Sequence, residues 1–184
     1  MSTTTLTQNL PLVDPASATG KPGELLQAVK GKLGLIPNMT KAMANAPAAL
    51  DGYLAFSGAL SHGVLSARVR EQIAILTAEY NRCHYCLSAH TAIAKMVGLP
   101  EGDAAQARDA KAADAKTTAI LTFAKAILVS NGSPRPDQFE AARKAGVSDA
   151  EIAEIIANVA LNYYTNIFNK AAGTEVDFPI VNPR

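Results

Sequence analysis

The chain has 184 residues, of which 48% are apolar, 18% charged and only 5% aromatic, and it carries a formal net charge of +1. That length supports one good core and one domain, and an Ala-rich, aromatic-poor composition suits closely packed helices rather than sheets or a disordered chain. No basic run recurs to grip a phosphate backbone, the apolar segments are too short to span a membrane, and the N-terminus lacks the charged start and apolar core of a secretory signal. The expectation is a soluble, cytoplasmic protein with neither nucleic acid nor membrane as a partner.

In chain order, residues 1–20 are rich in Thr, Ser, Pro and Gly and read as an N-terminal arm, loose or laid on a partner subunit. A short helix is predicted from about Pro22 to Gly34, then the turn IPN, a second short helix, a break at Pro47 and a longer helix ending at His62-Gly63. Ser66 is placed to cap a helix through ARVREQIAILTAEY. That segment carries one apolar stripe through Val69, Ile73, Leu76 and Tyr80 and a second through Glu71, Ile75 and Ala78, so it reads as a central helix with Glu71 drawn inward. A further helix is predicted from close to Cys83 to about Val97, followed by a polar connection near PEGDAAQARDAKAAD. Helices over 116–129 and DQFEAARKAG come next, and Ser148 opens a long last helix before an extended tail, TEVDFPIVNPR.

The segment EYNRCHYCLSAHT holds both cysteines and one of the three histidines. On a helix His90 lies one turn beyond Cys86, so thiol and imidazole can meet on one face that Ile93 and Val97 continue. A Cys-x-x-Cys at a helix start can close a disulfide, and the free amides and dipole there favour a thiolate. The reading is that a Cys86 thiolate attacks an electrophile, and that Cys83, nearer the solvent end of the helix, condenses with the oxidised sulfur. Glu71, arriving from the preceding helix, can orient His90 or pass its proton through a water. Other readings stay open. A zinc site draws on Cys83, Cys86 and His90 but needs His84 or Glu71 to complete four ligands. A packed core histidine also explains His90, helix capping explains His62, and Tyr80 and Tyr85 either wall a site or pack at helix crossings. In the last helix Asn158, Asn162 and Asn166 with Tyr163 and Tyr164 form a polar side suited to a pocket or a subunit interface.

At these residues the sequence resembles the alkyl hydroperoxidase D-like branch of the carboxymuconolactone decarboxylase family. The resemblance rests on REQIAILTAEYNRCHYCLSAHTAIAKMVGL and extends to GLIPN at 34–38, LSARVRE at 65–71 and NYYTNIFNKAAGTEVDFP near the end. It implies an all-α fold, a compact helical bundle over residues 21–184 as a single domain, with the redox Cys-x-x-Cys at the start of a central helix. It also implies a homo-oligomer (dimer, trimer or hexamer). The implied activity is that of a thiol-dependent peroxidase for organic hydroperoxides, in which Cys86 reacts, Cys83 resolves it, and Glu71 and His90 relay protons, with no bound cofactor or metal. Electrons would come from a dihydrolipoyl group or another thiol reductant protein. The best-characterised hydroperoxidase of the branch has a histidine immediately before its second cysteine; here Tyr85 stands there and His84 one position earlier. The competing expectations are a carboxymuconolactone decarboxylase-like lyase acting on a small carboxylated lactone, and a non-enzymatic redox sensor.

Overall fold

Helix boundaries fall where local side chains take up the free backbone groups at each end. In the computed structural model, which describes residues 8–184, these are α1 (Gly20–Leu33), α2 (Asn38–Met43), α3 (Pro47–Ser61), α4 (Ala67–Tyr80), α5 (His84–Met96), α6 (Glu101–Ala107), α7 (Ala115–Val129), α8 (Pro136–Lys144) and α9 (Asp149–Ala172). There is no strand among the described residues. Ser66 Oγ accepts from the Val69 N–H at 3.3 Å to start α4. Ser148 and Glu151 form a reciprocal box at the start of α9, with Oγ accepting from the Glu151 N–H at 3.2 Å and Oε2 from the Ser148 N–H at 2.8 Å. Gly173, at φ 62°, ends α9 in the left-handed region that a side chain would strain.

The fold is an all-α bundle arranged about α4. Residues 72–78 of that helix are buried without interruption, which no surface helix allows, and α4 packs on α5, α6, α7 and α9. The two apolar stripes therefore mark a central helix, as expected. The core around it includes Ile73, Ile75, Leu87, Leu121, Phe123 and Ile155, and each such side chain contributes roughly 1.5–3 kcal/mol by leaving water. Helices α1, α2 and α3 pack among themselves, and α3 also lies against α9. The polar connection expected around residues 100–114 contains a helix instead. Pro100 precedes α6, Glu101 and Asp103 favour its N-terminus, and Ala104 and Ala107 are buried by α4 and α5. The small apolar face was too sparse to stand out from its polar surroundings.

Both ends of the described chain run along the bundle. Of the arm expected over residues 1–20, the first seven lie outside the described residues. From residue 9 the chain is tied down, the Asn9 N–H donating to the Ala172 carbonyl at 2.8 Å and the Val13 N–H to the Lys41 carbonyl at 3.2 Å. After Gly173 the tail crosses the first half of α5. The Tyr85 hydroxyl donates to Asp177 Oδ1 at 2.9 Å and accepts from the Met39 N–H at 3.1 Å, while Asp177 Oδ2 accepts from the Asn38 N–H at 2.8 Å. Phe178 lies edge-on to Tyr85, with ring centroids 5.9 Å apart, and the Val181 N–H donates to Ser88 Oγ at 2.9 Å.

Candidate active site

The short link between α4 and α5 sets the position of both cysteines. Arg82 adopts φ 52°, an uncommon conformation for a residue with a side chain, and the Cys83 N–H then returns to the Ala78 carbonyl at 2.9 Å. This turn makes Cys83 the N-cap of α5, and its sulfur accepts from the Cys86 N–H at 3.3 Å. Cys83 is 1% exposed and Cys86 2%. The expectation that Cys83 lies nearer solvent is therefore corrected: the capping role tucks it beneath the helix start, and Cys86 is the cysteine that lines a cavity.

That cavity, of about 320 Å³, is bounded by α1, α2, α3, α4, α5, α9 and the tail. Glu71 from α4 and His90 from α5 meet at its wall, with Nδ1 of His90 2.8 Å from Glu71 Oε2. The side chains are 16% and 21% exposed respectively. Burial is the largest influence on the imidazole and disfavours its charge. The charge and hydrogen bond of Glu71, aided by Cys83, outweigh it and raise the His90 pKa. Tyr53 of α3 faces the same space, its pKa pushed up to about 12 by burial first, then by the charges of Glu71 and Cys86. It stays a neutral donor across the working range.

Their surroundings move the two thiol pKa values in opposite directions. The Cys83 pKa is lowered, chiefly by a hydrogen bond from the Cys86 thiol, against burial and with help from the Cys86 amide, His90 and Lys170. Burial, then the hydrogen bond and charge of Cys83, hold the Cys86 thiol well above its ordinary value. The helix start thus favours charge on Cys83, whereas access favours reaction at Cys86.

The structure brings Glu71, Cys83, Cys86 and His90 together and separates the remaining candidates. His84 is exposed, with Nδ1 3.2 Å from Asn182 Oδ1 in the tail, and it does not line the cavity. Tyr85 lines it but spends its hydroxyl on the tail and α2. Tyr80, Tyr163 and Tyr164 are exposed, and His62 follows the end of α3. Asn158 and Asn162 line the cavity from α9, which places the polar side of that helix at a pocket. Among the described residues no His, Cys, Asp and Glu cluster suits a metal ion. Sequence reasoning missed Tyr53 and Asn169. Tyr53 carried no local signal in an apolar helix, and Asn169 lay three residues past Asn166 on the face already identified as polar.

A family model for the carboxymuconolactone decarboxylase family matches residues 47–129, from α3 through α7. An uncharacterized peroxidase-related protein with an alkylhydroperoxidase AhpD core from Ralstonia eutropha JMP134 superposes with a TM-score of 0.83 at 26% identity, with 92% of each chain covered. Residues 47–129 thus match the carboxymuconolactone decarboxylase family, and the chain as a whole has the alkylhydroperoxidase AhpD-like fold. An uncharacterized peroxidase-related protein from Silicibacter sp. TM1040 shares this fold with a TM-score of 0.80 at 24% identity, covering 95% of this chain and 92% of its own. The debrominase Bmp8 shares it with a TM-score of 0.80 at 18% identity, covering 94% of each chain. No curated protein matches the sequence significantly. The chain carries a candidate Cys-x-x-Cys redox site, and no helix among the described residues is long and apolar enough to cross a membrane.

Proposed function

We propose that the protein is a thiol-dependent peroxidase that reduces organic hydroperoxides through a Cys83/Cys86 dithiol-disulfide cycle. The observation that carries this reading is that Cys86 and the Glu71–His90 pair open onto one largely apolar cavity while Cys83 sits directly behind Cys86. The dithiol gives one proton to the histidine-carboxylate pair and keeps one between the sulfurs. When that remaining proton is on Cys83, the Cys86 thiolate attacks the terminal oxygen of the hydroperoxide. An S–O bond forms, the O–O bond breaks, and the alkoxide leaves with a proton from His90. Cys83 then gives its proton to the now neutral His90 and attacks the Cys86 sulfenic acid; the S–S bond forms, the S–O bond breaks, and hydroxide leaves as water with the proton that His90 returns. Two electrons from a dihydrolipoyl or other dithiol reductant protein restore the thiols.

The apolar walls contributed by Leu54, Leu60, Ile93 and Phe178 suit a hydroperoxide with a hydrocarbon body. Residues 21–184 form the working domain in this reading. The exposed apolar side chains Phe56, Ile156, Tyr163 and Ile167 on α3 and α9 support assembly into a homo-oligomer.

The test is stopped-flow oxidation of the reduced protein by an organic hydroperoxide, with Cys83→Ser and Cys86→Ser in parallel. Rapid loss of two thiols, a sulfenic acid trapped on Cys86 in Cys83→Ser, and no fast phase in Cys86→Ser are expected. Oxidation no faster than that of a free thiol at matched pH overturns the peroxidase. Lactone turnover that survives replacement of both cysteines would establish the lyase instead.

A further inference from the structure

The sulfur of Cys86 faces two side-chain amides on α9, and neither is satisfied as a structural group would be. Asn169 Nδ2 donates to Cys86 Sγ at 3.3 Å and to the Thr165 carbonyl at 2.9 Å. The carbonyl fixes the orientation of the amide, because a flip would set two oxygens against each other. It also leaves Asn169 Oδ1 buried without a donor. Asn166 is fully buried, and its Oδ1 accepts from Asn81 Nδ2 at 2.9 Å, which turns its own Nδ2 away from Asn81. That Nδ2 has no acceptor while Cys86 is a thiol. A fold selected for stability alone rarely keeps two orphaned polar atoms on successive turns of one helix, since each costs the full desolvation of the group. An anionic sulfur would give the vacant donor its partner.

We propose that Asn169 and Asn166 form an amide cradle for the Cys86 thiolate, moving the proton that the two sulfurs share toward Cys83. Asn169 touches the reacting sulfur and is a catalytic residue in this sense; Asn166 acts on the charged form. The proposal rests on Cys86 being the attacking sulfur of the peroxidase reading, and it supplies what the resting electrostatics lack. Burial and Cys83 both oppose charge on Cys86, and the groups that favour it by hydrogen bond are these two amides. The other titratable or charged groups near the sulfur are Cys83 and His90 on either side of it in the chain, Glu71 from α4, Tyr53 from α3 and Lys170 from α9. None of these donates a hydrogen bond to Cys86.

The experiment uses the full chain with Cys83→Ser, so that only Cys86 reacts, and follows its alkylation by iodoacetamide from pH 5 to 11. Asn169→Asp and Asn169→Leu are compared with the parent, and hydroperoxide oxidation is measured on the same samples. Loss of one hydrogen bond to a charged sulfur is expected to move the alkylation midpoint up by at least about one pH unit, a roughly tenfold slower reaction at pH 7. A midpoint that stays in place in either folded variant overturns the cradle. A second measurement needs no substitution at α9: the side-chain amide signals of Asn166 and Asn169 in the ¹⁵N-labelled Cys83→Ser protein should titrate with the midpoint of Cys86 alkylation. Signals that do not follow Cys86 overturn the proposal even if the leucine variant fails to fold. If the parent reacts with hydroperoxide no faster than a free thiol, the peroxidase reading fails, while the alkylation midpoints still decide the cradle.

Discussion

Glu71 and His90 lie on different helices and meet at 2.8 Å on the wall of the cavity that Cys86 lines. Because the pair raises the His90 pKa above its ordinary value of about 6.5, its contribution to stability is fully present below that value and fades as pH rises through the folded value. Glu71→Gln should lower the His90 pKa, read from its imidazole proton resonances. The stability lost in the variant should be larger near pH 6 than near pH 9 by denaturant unfolding. A loss that stays constant across this range would mean the pair is not ionised.

Tyr85→Phe removes the hydroxyl that joins α5 to α2 and the tail. The Met39 N–H and Asp177 Oδ1 both lose a partner, although Asp177 keeps the Asn38 N–H. The expected cost is about 1–3 kcal/mol in chemical denaturation. Cleavage within residues 173–184 by a nonspecific protease should speed up in the folded protein. An unchanged cleavage rate would show that Phe178 and Val181 hold the tail without the tyrosine.

Tyr53→Phe tests the neutral donor that α3 brings to the cavity. With its pKa at about 12, the phenol contributes no titration between pH 6 and 10. The variant should lower kcat/KM for an organic hydroperoxide about tenfold, the worth of one hydrogen bond to developing charge, and leave the pH midpoints in place. A shifted lower midpoint would instead make Tyr53 part of the proton relay.

Ser148→Ala removes the side-chain oxygen that caps α9 and should cost about 1 kcal/mol in thermal or denaturant unfolding. Alkylation of Cys86 at a given pH should be unchanged, since the cap lies nearly six turns from Asn169 at about 3.6 residues per turn. Slower alkylation would show that fraying at this end of α9 reaches the sulfur.

Much of the architecture was legible because it is periodic. The two stripes of α4 identified a helix buried all round, and Ser66 and Ser148 marked helix starts that the structure confirms through their hydrogen bonds. The grouping of Glu71, Cys83, Cys86 and His90 followed from helix spacing and the resemblance at those residues. Relations set by long-range packing were not legible. Nothing local in Tyr53 or Asn169 announces that α3 and α9 converge on Cys86, and nothing in TEVDFP announces that Asp177 will reach Tyr85. The relative burial of the two cysteines failed for a more specific reason. Helix direction fixes which end of α5 is near a turn, but the left-handed Arg82 decides which way that turn folds.

Phe178 forms part of the cavity wall, yet it comes after every residue to which a chemical step is assigned. A break in the chain between Gly173 and Phe178 would therefore leave every reacting group in place and take away one side of the pocket. The chemistry of the site and its enclosure are carried by separate stretches of the chain.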